Sequence, residues 1–296
     1  MSNEPASRSA TASHGGGWLR AAQRRVEGDR TIAHVAGGPA TMVLAFVSGG
    51  AVGVLGGMIG LGGAEFRLPL LIGLFGFAAL SAVILNKAMS LVVVLTALPA
   101  RLATVGFSEL SAHWLIAANL LAGSLLGAWA GATWATRMRT TTLYRVLAVL
   151  MVAMAAALVL THLTSLPVLD IPAPLLVVTG VVAGFGIGVV AAIMGVAGGE
   201  LLIPTITLLY AVDVKLAGSL SLAVSLPTML VAFARYSRDQ SFQVLRWNLR
   251  FTAVMIAGSV IGALVGGLLL GAAPDLVLVP ILAAILLISA VKLARH

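Results

Sequence analysis

Gly60-Leu61-Gly62-Gly63-Ala64-Glu65-Phe66-Arg67-Leu68-Pro69 has a second copy 135 residues on, Gly195-Val196-Ala197-Gly198-Gly199-Glu200-Leu201-Leu202-Ile203-Pro204. Each stretch sets a glycine-rich break and one carboxyl inside apolar sequence. Glycine takes positive φ and lets backbones approach closely, but it also frees peptide groups that hydrocarbon cannot satisfy. Such a break must be buried in protein or line a watery cavity, which is the signature of an interrupted membrane helix. The register holds without a gap beyond the motif. Gly60, Gly63, Glu65 and Pro69 pair with Gly195, Gly198, Glu200 and Pro204, and Ala82, Ala88 and Ser90 pair with Ala217, Ala223 and Ser225.

Around these breaks the 296-residue chain is 60% hydrophobic and only 9% charged, with a mean hydropathy of +1.07. That is too few polar groups to clothe a soluble domain, so the chain reads as an integral membrane protein. Charge-free runs such as Val146 to Leu169, Ile171 to Gly199 and Leu216 to Ala234 are of spanning length, about 20 residues. They are continuously apolar rather than alternating, which predicts helices and not a barrel. The lipid bilayer is therefore the first partner. The net charge of +8 lies in loops beside apolar spans, so it reports topology and not a nucleic-acid partner. There is no cysteine, hence no disulfide framework or thiolate metal site. His113 and His162 lack ligand-like spacing, and neither a metal nor another cofactor is expected.

Residues 1–38 read as a polar, mostly disordered tail, with a short surface helix expected from Trp18 to Val26 and no secretory signal. Loop charges then alternate. The tail is rich in arginine, Phe107 to Ala112 carries only Glu109, and Thr136 to Arg145 carries Arg137, Arg139 and Arg145. Thr161 to Ala173 carries only Asp170, Arg235 to Arg250 carries Arg235, Arg238, Arg246 and Arg250 against Asp239, and the end carries Lys292 and Arg295. Arginine-rich segments face the cytoplasm, which places both termini there.

Odd parity between tail and Glu109 fits segments at Ala40 to Ile59, Phe66 to Ala79 and Ala82 to Val105. Single segments follow at Trp114 to Trp134 and Leu143 to His162. The second set is expected at Leu175 to Met194, Leu201 to Val212, Leu216 to Phe233, Phe251 to Leu270 and Leu276 to Val291. Five segments per half start the second half on the opposite side. The expected fold is an all-α membrane protein of two inverted-topology repeats, 39–165 and 170–293, with broken or re-entrant helices at the breaks.

Helix starts at Ala64 and Gly199 would aim free N–H groups and positive dipole ends into the breaks, so Gly62, Gly63, Gly198 and Gly199 are candidate anion-binding positions. Small residues that merely permit close helix packing are the plainer reading. Glu65 and Glu200 either cap their own helix starts or bind and release a proton, since desolvation favours the neutral carboxyl. Arg67 either holds an anion through its guanidinium, pairs with Glu65, or reaches the interface. Lys87 poses the same choice. Asn86, Ser90, Ser221 and Ser225 are candidate neutral hydrogen-bonding groups, or bonds to a neighbouring helix. Arg101 and Arg235 end corresponding helices, as interface markers or entrance guards.

At the breaks, through Gly56-Gly57-Met58-Ile59-Gly60-Leu61-Gly62-Gly63 to Pro69 and Ala191-Ala192-Ile193-Met194-Gly195-Val196-Ala197-Gly198-Gly199 to Pro204, the sequence resembles the TauE/SafE family of membrane permeases. The family is named for sulfite and sulfonate export. Glu65, Glu200 and Arg67 depart from its common pattern. The resemblance implies secondary transport of a small sulfur-containing anion across the bacterial inner membrane, and the paired glutamates suggest coupling to protons. A facilitative channel or permease for another small solute is the alternative. A membrane enzyme is least favoured, because no nucleotide-binding loop and no Ser/His/Asp or metal constellation is present.

Overall fold

A computed structural model describes residues 38–59, 63–104, 107–163, 172–269 and 275–295. The tail with its expected surface helix lies outside these residues, as do Gly62 and the side chains of Arg101, Glu109 and His162. All regular structure among the described residues is helical. In chain order the helices are α1 Pro39–Ile59, α2 Ala64–Gly73, α3 Ala79–Thr104, α4 Phe107–Ala112, α5 Trp114–Arg137 and α6 Thr140–Leu163. They continue as α7 Ala173–Met194, α8 Gly199–Tyr210, α9 Val214–Tyr236, α10 Gln243–Trp247, α11 Leu249–Leu268 and α12 Asp275–Ala294. Seven of them, α1, α3, α5, α6, α7, α9 and α11, are long and apolar enough to cross a membrane.

α2 and α8, with 10 and 12 residues, cover about 15 and 18 Å, roughly half of a hydrocarbon core. α2 is shorter than the Phe66 to Ala79 segment expected from hydropathy. The chain turns back after Gly73: Phe75 N bonds Leu70 O, Phe77 N bonds Leu71 O, and Gly76 takes a φ of 72°. The turn is fixed by aromatic packing, since the Phe75 and Phe77 rings lie 4.8 and 5.4 Å from that of Phe251 on α11. The arginine-rich segment after α9 also contains structure that charge alone does not reveal. The Asp239 carboxylate accepts from Ser241 N at 2.9 Å, starting a 3-10 turn at Gln240–Phe242 that runs into α10.

Columns of glycine four residues apart hold the outer helices together. On α5 and α7, Gly123, Gly127 and Gly131 pack on the backbones of Val181, Phe185 and Val189, while Gly184 and Gly188 pack on Leu120 and Ser124. On α1 and α11, Gly258, Gly262 and Gly266 pack on Phe46, Gly50 and Val54, while Gly49 and Gly53 pack on Met255 and Ser259. A Cβ at any of these positions would collide with a carbonyl, so glycine sets the interaxial distance and dispersion does the holding. Each contact in one seam has its counterpart in the other at the 135-residue offset.

α3 and α9 form the inner layer. Their spanning windows are 67% and 61% buried, against 33 to 39% for the other candidate spans. The two inner helices touch each other, α3 packs on α2 and α11, and α9 packs on α5 and α8. α6 packs on α12. Outer helices turn large apolar side chains outward, for example Val43, Leu126, Val182, Leu264 and Ile288, as lipid-facing surfaces do.

Candidate functional site

The site lies where α2 and α8 begin. Gly63 and Gly198 precede the two helices with φ of 67° and 84°, a left-handed conformation that a side chain would strain. In each case the first turn closes on that glycine: Phe66 N bonds Gly63 O at 3.2 Å, and Leu201 N bonds Gly198 O at 3.2 Å. Glu65 and Glu200 therefore occupy the same place in the first turn of each helix. Their side chains meet, each carboxyl lying within hydrogen-bonding reach of the other. Glu65 is 3% exposed, and its carboxyl also takes its own backbone N–H. Glu200 is half-buried. One oxygen of each carboxyl, Oε2, is shut off from solvent without a partner.

Arg67, two residues further along α2, is 0% exposed. Its head stays inside the protein and does not reach an interface. Glu65 is close enough to feel its charge, but the hydrogen bonding is sparse. Nη1 donates to Ser90 Oγ at a long 3.4 Å, and Nε and Nη2 have no partner. Buried guanidinium N–H groups are normally satisfied, so these free donors are the clearest opening for a ligand.

α3 supplies the groups that join the two breaks. Asn86 Nδ2 donates to Ala64 O at 2.9 Å and to Met194 O at 3.2 Å, reaching the start of α2 and the end of α7 from one amide. Asn86 Oδ1 has no partner. Lys87 Nζ donates to Ala191 O and Val196 O at 2.8 and 2.6 Å. On α9, Ser221 donates to Gly218 O in its own helix and stands against Gly199, whereas the buried Ser225 Oγ has no partner. The structure thus gathers Glu65, Arg67, Asn86, Ser90, Gly63, Gly198, Gly199, Glu200 and Ser221 around the two helix starts. It ties Lys87 to backbone carbonyls and leaves Ser225 one turn along α9.

Two interactions near the site carry no sequence signal. Tyr236 OH donates to Ala192 O at 2.9 Å, and Ser124 Oγ and Thr228 Oγ1 lie 2.7 Å apart between α5 and α9. Arg235, at the end of α9, bonds Thr133 on α5 and lies 5.8 Å from the Trp129 ring. Among the described residues no group of three His, Cys, Asp or Glu side chains could hold a metal ion.

The family model for the sulfite exporter TauE/SafE matches residues 15–158 and 166–295. The chain belongs to the TauE/SafE family. Both glycine breaks and every residue of the candidate site fall inside the matched segments of this TauE/SafE protein. The family consists of transporters and not enzymes, and its name assigns them sulfite export. A multi-pass membrane protein is what the seven candidate spans require of a TauE/SafE member. No curated protein and no solved structure matches the chain closely enough to add to the family assignment.

Proposed function

We propose that this TauE/SafE chain is a secondary transporter that exports a small sulfur-containing anion, a sulfonate or sulfite, together with a proton. Both share one site between the two glycine breaks. The observation that carries the reading is the fully buried Arg67 guanidinium with two unpartnered nitrogens beside a pair of touching carboxyls. A hydrogen bond between carboxyls needs a proton on one of them, so the pair is built to hold a proton. With both glutamates ionised, Arg67 and Lys87 are balanced and an anion gains nothing. With one proton shared between Glu65 and Glu200 the site carries one excess positive charge, which suits a monovalent anion. Anion and proton then cross as a neutral set, and the two gradients together set the direction.

In this reading Arg67 holds the oxyanion. Gly63, Gly198 and Gly199 offer backbone N–H groups at the helix starts, and Asn86, Ser90, Ser221 and Ser225 add neutral hydrogen bonds. Lys87 contributes charge from its place on the carbonyls. The matching glycine seams of α1 with α11 and of α5 with α7 support an arrangement of two repeats, 39–165 and 170–293. The alternation of loop charge supports their inverted sense in a bacterial inner membrane, with both termini cytoplasmic.

Reconstituted counterflow with sulfite, sulfoacetate and taurine tests the assignment. Arg67→Ala should weaken the affinity for the carried anion by tenfold or more, the scale of one lost charge-assisted contact of about 1.5–3 kcal/mol. Unchanged affinity would remove Arg67 from the anion site. A second reading, facilitated passage with the glutamates as helix caps, draws on the bond from Glu65 to its own N–H. It predicts equilibration of substrate under a pH difference, without accumulation.

A further inference from the structure

Lys87 is 0% exposed, and its two hydrogen bonds go to carbonyls on either side of a helix end. Ala191 lies in the last turn of α7, and Val196 lies just past Gly195, where a φ of 71° takes the chain out of the helix. The helix stops between them, so two carbonyl oxygens that would otherwise point along one axis converge on a single point. That point is at the C-terminal end of α7, where the macrodipole is negative. Converging carbonyls at the end of an interrupted membrane helix are the means by which such helices hold small cations. Here the cation is a side chain.

The surroundings are built for the same purpose. Asn86 Nδ2 meets Met194 O and Tyr236 OH meets Ala192 O, so neighbouring carbonyls are engaged by neutral side-chain donors, while the ammonium takes Val196 O together with Ala191 O, which also accepts from Val196 N at 3.1 Å. A neutral donor would also satisfy two carbonyls. A buried charge at membrane depth is far costlier to place and calls for a reason beyond capping. Nor does the fold demand an amine at such a position, since at the 135-residue offset α9 carries Leu222.

We infer that Lys87 is a tethered cation: its ammonium fills a carbonyl-lined cation site in the second break, so the carrier needs no mobile alkali cation there. Truncation then creates a site for a small monovalent cation. Thermal stability is the first readout, so the test holds whichever anion is carried.

Full-length protein is purified and its unfolding midpoint measured in choline, sodium, potassium and ammonium chloride. The wild type is expected to be indifferent among them. Lys87→Ala is expected to unfold several degrees lower in choline and to recover saturably with ammonium or sodium. Counterflow by Lys87→Ala should likewise fall at least tenfold in choline and return with the cation that restores stability. Cation-independent stability of Lys87→Ala would overturn the inference, as would failure to obtain folded Lys87→Ala protein in ammonium or sodium. Lys87→Gln, which keeps N–H donors without charge, is expected to resemble the choline state. If it matches the wild type in stability and counterflow, the charge is unnecessary and the inference falls.

Discussion

Asn86 donates from one buried amide to carbonyls of two different helices, 22 and 108 residues away in the chain. Asn86→Ala orphans both bonds, and about 1–3 kcal/mol of stability should go with them. The check is a lower unfolding midpoint for the purified protein, and an unchanged midpoint would show that the amide is not a brace. Ser225 makes the useful contrast, because its buried Oγ bonds to nothing. Ser225→Ala should leave the midpoint where it is, so any loss of counterflow in that variant reports on the transport path and not on folding. At this scale the sequence allowed the residue types to be read but not their pairing. Lys87 and Arg67 were equivalent candidates in the sequence. The structure separates them, since Lys87 is bound to carbonyls 104 and 109 residues away while Arg67 keeps two nitrogens free.

Whole helices were more legible. Continuous hydropathy and loop charge located ten segments, and each overlaps an observed helix, because a spanning length of apolar residues has few other structures available to it. The departures have local causes. α2 ends at Gly73 because Phe75 and Phe77 turn into a ring cluster with Phe251. α10 follows a cap by Asp239 within a charged loop. The glycine columns every fourth residue were visible in the sequence as letters, but their partners were not. Their prediction is specific to the seams. Gly127→Ala and Gly262→Ala each drive a methyl into a backbone carbonyl, of Phe185 and Gly50 respectively, and should each cost about 1–3 kcal/mol. Gly186→Ala and Gly267→Ala meet nothing within 4 Å and should be neutral or slightly stabilising. Paired unfolding curves decide it, and equal behaviour of all four variants would contradict the seam assignment.

On the scale of the molecule, the starts of α2 and α8 meet at one candidate site, and loop charge supplies their proposed orientation. The orientation is open to a clean test because the chain has no native cysteine. Ser237→Cys, exposed after α9, should react with an impermeant maleimide only from the cytoplasmic side. Ser111→Cys, exposed beside α5, should react only from the other side. Labelling of both from one side would break the parity on which the proposed inverted repeats rest. The central claim, that Glu65 and Glu200 hold the proton that travels with the anion, is tested most directly by sulfite or sulfonate uptake into proteoliposomes driven by a pH difference alone. The wild type should accumulate the anion above its external concentration, whereas Glu65→Gln combined with Glu200→Gln should do no more than equilibrate it. Uphill accumulation by that double variant would contradict the account.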